Sequence, residues 1–126
     1  MADHPNAARY RQLSDAMKGG DMSQMADTIA EDVEWWEIGS TEPIRGKAAL
    51  MARMQELAGD SNISGDLHDV VANDDHTVAL ITATATRGDE SLTYRVAEIY
   101  HANADGQVTH RWAFSDDTER INAFFR

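Results

Sequence analysis

The order of hydrophobic periods along this chain predicts an α+β fold, with three helices packed over one face of a curved, mainly antiparallel sheet. Three observations carry that expectation. Helical spacing dominates the first half, β-branched runs dominate the second, and turns centred on glycine or aspartate separate the runs. At 126 residues, a single domain over 1–126 is the natural reading, long enough to bury a core.

The elements follow in order. Residues 5–18 read as a first helix: Pro5 suits the first turn, and Tyr10, Leu13 and Met17 share one face. Gly19-Gly20 stops it, and Asp21 is placed to cap a second helix with Met22, Met25 and Ile29 as its stripe. Methionines at that spacing read as core. The stretch 32–46, DVEWWEIGSTEPIRG, reads as a strand that runs into a turn marked by Gly39, Pro43 and Gly46. A third helix covers 47–57, with Leu50, Met54 and Leu57 inward and a stop near Gly59. Strands are then expected over 63–73, 78–86, 92–101 and 108–114, joined by turns at Asp74-Asp75, at 87–90 and at Asp105-Gly106. Ile121, Phe124 and Phe125 pack back as a helical turn or coil.

Composition excludes several function classes. Twenty-two acidic residues against 11 basic ones give a net charge of −11, which argues against a nucleic-acid partner and an anionic membrane surface. Lys18 and Lys47 are the only lysines, and aspartate outnumbers glutamate, a balance that a salt-adapted source would also leave. No apolar run approaches a membrane span, and the first residues lack a signal pattern, so a cytoplasmic protein is expected. The absence of cysteine removes disulfides, thiolate nucleophiles and thiolate metal sites. The five histidines show neither HxxxH nor HExxH spacing, no GxSxG elbow is present, and no metal or cofactor is expected.

Alternation selects the candidates. In the first strand Val33, Trp35 and Glu37 share a face, so an inward Trp35 carries the Glu37 carboxylate with it. An unpaired buried charge is costly, which marks Glu37 for attention. In the strand over 92–101, Tyr94, Val96, Glu98 and Tyr100 share a face, which surrounds Glu98 with aromatic and apolar groups. Leu80 and Thr82 are placed beside the same cavity. In the last strand, alternation groups Val108, His110, Trp112 and Phe114, so Trp112 is expected inward and Arg111 outward. A plainer reading leaves Glu37 at a solvated strand end and pairs Glu98 with Arg95 or Arg111.

The element order, with WWEIGSTEPIRGK, LHDVVANDDHTVAL and DGQVTHRWAF in their places, resembles the nuclear transport factor 2-like superfamily, and within it the SnoaL-like and ketosteroid-isomerase-like proteins. That resemblance covers residues 7–125 and implies a cone-shaped α+β barrel with an apolar pocket between sheet and helices. It also implies a homodimer, since many members pair through the outer sheet face. Counted back from the Pro43–Gly46 turn, Glu37 falls where ketosteroid isomerase has its base. Glu98 falls where that enzyme keeps a protonated acid in its oxyanion hole, and the tyrosine of that hole would fall at Leu13. Tyr10, one turn earlier, or Tyr94 stands as its substitute. Many relatives carry a bulge after the glycine turn; here it would turn Arg111 inward, as in limonene-epoxide-hydrolase-like members with an acid–arginine–acid set.

The function these readings imply is a pocket for a small, mostly hydrophobic molecule. The pocket is lined by Tyr10, Leu13, Trp35, Leu80, Thr82, Tyr94, Val96 and Trp112. Glu37 and Glu98 would carry cofactor-independent proton transfer next to a carbonyl, as in an isomerase or polyketide cyclase. The alternatives are a non-catalytic ligand-binding or dimerisation module and a water-activating epoxide hydrolase.

Overall fold

The computed structural model describes residues 4–19 and 22–125; the expected cap at Asp21, and the side chains of Met17 and Met22 in the two helical stripes, lie outside the described residues. Helix α1 spans Pro5–Lys18 and α2 spans Met22–Asp27. Strand β1 (Ile29–Trp35) leads through a turn to a two-residue strand, β2 (Ile44–Arg45), and then to α3 (Lys47–Asp60). Four long strands follow: β3 (Asn62–Ala72), β4 (His76–Arg87), β5 (Glu90–Ala102) and β6 (Val108–Ser115). Helix α4 (Thr118–Phe124) ends the chain, with the Asp117 carboxylate accepting from the Arg120 amide at 3.2 Å as its cap.

Two boundaries differ from the sequence expectation for a physical reason. Ile29 does not continue the α2 stripe. It opens β1, where it is fully buried, because one apolar residue fits either period and tertiary packing decides between them. Strand β1 also ends at Trp35, so Glu37 sits just beyond it, where pairing with β2 and β6 has stopped.

The six strands form one sheet in the order β2-β1-β6-β5-β4-β3. It is open, with β2 and β3 at its edges, and antiparallel except where β1 runs parallel to β6. Alternation on β5 holds as expected: Tyr94, Val96, Glu98 and Tyr100 are all buried on the inner face.

The inner face carries two apolar clusters. One joins Tyr10 and Leu13 of α1, Leu50 of α3, Val33 and Trp35 of β1, and Tyr100. The other joins Ala83, Ala85, Leu92, Tyr94, Val96 and Ala113 with Ile121 and Phe124 of α4. Glu98 lies on β5 between the last residue of one cluster and the first of the other.

Four face assignments are corrected. Leu80 and Thr82 alternate with the buried Ala79 and Ala83, so they point to the outer face, where Leu80 is 40% exposed. On β6 the register slips between the pairs His101–His110 and Ala102–Val108, leaving Thr109 as an extra residue. That bulge inverts the alternation after it. Arg111 turns inward, opposite Tyr100, whereas Trp112 turns outward and stacks on His110 with ring centroids 5.5 Å apart.

Candidate active site

The site grows from one buried carboxylate. Glu98 is 8% exposed and meets four donors. The Tyr10 hydroxyl donates to Oε1 at 2.9 Å, and the Tyr100 hydroxyl donates to Oε2 at 2.7 Å. Arg111 reaches the same Oε2 through Nε at 3.1 Å and Nη2 at 2.7 Å. A carboxylate buried beside an alanine-lined strand would be costly alone, and these donors supply the compensation that burial demands. Glu98 therefore sits as an acceptor of four hydrogen bonds. The plainer reading of the sequence paired it with Arg95 or Arg111, and the partner is Arg111.

Arg111 is fixed from three sides. Its Nη1 donates to the Trp36 carbonyl at 2.9 Å, and its guanidinium lies over the Trp35 ring, 4.7 Å from the centroid. Bonds to Glu98 and Trp36 engage three of the five N–H groups of an arginine, and Tyr100 is a further partner. Burial works against its charge, yet Glu98 and Tyr100 more than offset that, and its pKa lies above the ordinary value. The tyrosines are shifted too. Burial, then the Glu98 charge, pushes Tyr10 and Tyr100 well above the usual phenol range. Burial likewise raises Tyr94, against a partial lowering by Arg111.

Glu37 occupies a different setting. It follows β1 in the turn toward Gly39 and is held by Arg53 of α3, whose Nε lies 3.3 Å from Oε1 and 3.1 Å from Oε2. Arg53 also reaches Glu56 at 3.0 Å. Among the described residues no hydrogen bond or ion pair joins Glu37 to Glu98 or Arg111. The two acids instead meet through the chain: Arg111 grips the carbonyl of Trp36, the residue before Glu37. An acid–arginine–acid set is not formed, since Arg111 has Glu98 and Glu37 has Arg53.

The remaining candidates divide. Tyr10, Leu13, Trp35, Tyr94 and Val96 are buried on the inner side, and Tyr10 with Trp35 packs on Tyr100 at 5.4 and 5.9 Å between ring centroids. Leu13 lines a space of about 80 Å³ with Tyr10, Tyr100 and Thr77. Leu80, Thr82 and Phe114 line a groove of about 580 Å³ on the outer face. Neither space is lined by Glu37 or Glu98. Trp112 and His110 lie outside, in a row where His76, His101 and His110 face one another across β4, β5 and β6. No group of three metal-binding side chains is found among the described residues.

Sequence reasoning weighed Arg111 as inward but ranked it behind Trp112, and it missed Arg53. A signal existed for the first. A buried Glu98 requires a cation, and Arg111 stands five residues past Gly106, on a strand whose start is prone to bulges. Arg53 carried none, because it lies on the polar side of an otherwise ordinary helix.

Comparison with known proteins agrees with this architecture. A model of the SnoaL-like domain matches residues 10–111. The chain is 30% identical over 114 residues to a steroid Δ-isomerase of Nocardioides simplex, covering 90% of this chain and 91% of that one. Bal32a, from a soil-derived mobile gene cassette, superposes with a TM-score of 0.87 at 22% identity over 96% of each chain. A candidate polyketide cyclase of Xanthomonas campestris gives a TM-score of 0.74 at 21% identity, over 93% of this chain and 97% of that one. Both structural matches speak to the fold alone. With its open curled sheet, its buried Glu98 and a family match over most of its length, this chain belongs to the SnoaL-like family.

Proposed function

We propose that this protein is a cofactor-independent isomerase- or cyclase-like enzyme that moves a proton next to the carbonyl of a small, mostly apolar molecule. Glu37 is the base: it takes a proton from the carbon beside the carbonyl and returns it to another carbon of the same substrate. Arg111 receives the oxyanion formed in between, through an N–H not engaged by Glu98 or Trp36. Glu98, Tyr10 and Tyr100 hold the guanidinium in place, and Arg53 positions Glu37. Trp35, Tyr94 and Val96 supply the apolar wall.

The observation that supports this reading best is the inward, pre-oriented Arg111 over Trp35. The isomerase named among the relatives adds to it. The test is conversion of β,γ-unsaturated ketones, steroidal and monocyclic, to conjugated enones, followed by ultraviolet absorbance. Turnover by the wild type, lost in both Glu37→Gln and Arg111→Met, is expected. A wild type that neither converts nor binds any of these ketones overturns the proposal.

A second reading, a ligand-binding module without turnover, has one observation in its favour: neither of the two spaces described above is lined by Glu37 or Glu98. Thermal stabilisation by a ketone that is never converted would select it. In either reading the outer face serves a homodimer, a proposal supported by the exposed Val71, Leu80 and Phe114 and checked by light scattering.

A further inference from the structure

We infer that Phe124 and Ile121 of helix α4 set the size of the molecule this site admits; the inference rests on the site proposed above. Beyond Glu98 on the inner face, the sheet presents small side chains at Ala83, Ala85 and Ala113. Alanines opposite a helix leave room, and Ile121 and Phe124 fill it, both buried against Tyr94 and Val96. These two side chains occupy the apolar space next to the Glu98–Arg111 pair, on the side that α1 and α3 do not cover.

Helix α4 also touches the segment that carries the base. A methyl group added at Gly39 would stand 2.7 Å from Cγ2 of Thr118 and 2.8 Å from Nδ2 of Asn122, so α4 rests directly on the Glu37 turn. Phe124 is held from outside by Arg87, whose guanidinium lies 5.2 Å from the ring centroid. One seven-residue helix thus contacts the Glu37 turn and the Tyr94–Val96 row together. Helices that short have little stability of their own and depend on packing, so the volume they fill is open to change by side-chain size.

The chemical class follows from the surroundings. Tyr94, Val96 and the alanines give apolar walls on the side of Glu98 and Arg111, which suits a planar, ring-bearing ketone or its enol with its oxygen turned to Arg111. Truncating Phe124 leaves an apolar hollow, and apolar hollows of aromatic size take up ring compounds. A wild type selective for one or two rings is expected, together with a Phe124→Ala variant that admits three or four.

Phenols mimic the enol, and binding of 2-naphthol and of a four-ring steroidal phenol can be followed by fluorescence in wild type, Phe124→Ala, Phe124→Leu and Arg111→Met. The expected result is a preference for the four-ring phenol that rises at least about tenfold in Phe124→Ala, and in the same direction but less in Phe124→Leu. Urea denaturation and circular dichroism establish that each variant is folded. Should Phe124→Ala not fold, Phe124→Leu decides. An unchanged ratio in a folded variant, with naphthol binding still dependent on Arg111, overturns the role of α4 and leaves the site intact. Naphthol binding that ignores Arg111, or no binding by any form, overturns both.

Discussion

Glu98 and Arg111 meet at 2.7 Å with side chains only 11% and 12% exposed, and the second of them faces inward because Thr109 is an extra residue in β6. A buried pair of this kind is held by mutual need more than by net attraction. Removing either member leaves the other charge uncompensated in a region of low polarity.

Glu98→Gln and Arg111→Met should therefore each lower stability by about 3–5 kcal/mol. The double variant should lose much less than the sum, because it removes both charges. Urea midpoints of all four proteins measure the coupling; additive losses would contradict it.

All three tyrosines of the chain, Tyr10, Tyr94 and Tyr100, have pKa values raised by burial. A raised pKa means that the folded protein keeps protons the unfolded chain releases near pH 10. That stability is complete below pH 10 and declines as pH rises beyond it. Absorbance at 295 nm should show no tyrosinate at pH about 10 in the folded protein, then a joint appearance with unfolding. One tyrosine ionising near pH 10 with the fold intact would contradict the burial of that residue.

Glu37→Gln should separate function from stability. Glu37 and Arg53 are 31% and 30% exposed, so their pair contributes no more than about 1 kcal/mol. Loss of a general base costs on the order of a hundredfold or more in kcat. A melting temperature within a few degrees of wild type, with turnover lost, is the expected combination. Retained turnover would remove Glu37 from the mechanism.

Two glycines should respond in opposite directions to alanine. Gly39 has φ +75° and faces α4, so Gly39→Ala should destabilise by roughly 1–2 kcal/mol from backbone strain alone, and more from the clash with Thr118. Gly59 lies in α3 with nothing within 4 Å, so Gly59→Ala should stabilise by about 0.5–1 kcal/mol. Thermal denaturation of the two variants tests both signs.

The helices and long strands were legible in the chain because their periods are sustained: Tyr10 and Leu13 on α1, and Tyr94 through Tyr100 on β5, lie on the faces that spacing assigns them. What failed was local. Leu80 and Thr82 were assigned by their β character, which says nothing of face, whereas the alanines beside them mark the inner side. Trp112 was assigned by alternation counted through Thr109, and a single bulged residue inverts every later position. The two-residue β2 leaves no periodic trace, and the grip of Arg53 on Glu37 joins residues on separate elements. The bulge had two signs, the family resemblance and the need of a buried Glu98 for a cation, and both proved better guides to Arg111 than hydrophobic count.

The parallel seam of β1 with β6 sets the order in which this protein can assemble. Glu98 receives Tyr10 from 88 residues upstream, and its cation arrives only with the final strand. A chain emerging from the ribosome therefore carries β5 with an acid that cannot yet be buried at low cost. Strand β6 lies between β1 and β5, so the contacts that complete the sheet are distant in sequence, and contacts of that kind slow folding. Arg111 acts there as a latch: the strand that completes the sheet is the strand that neutralises its interior.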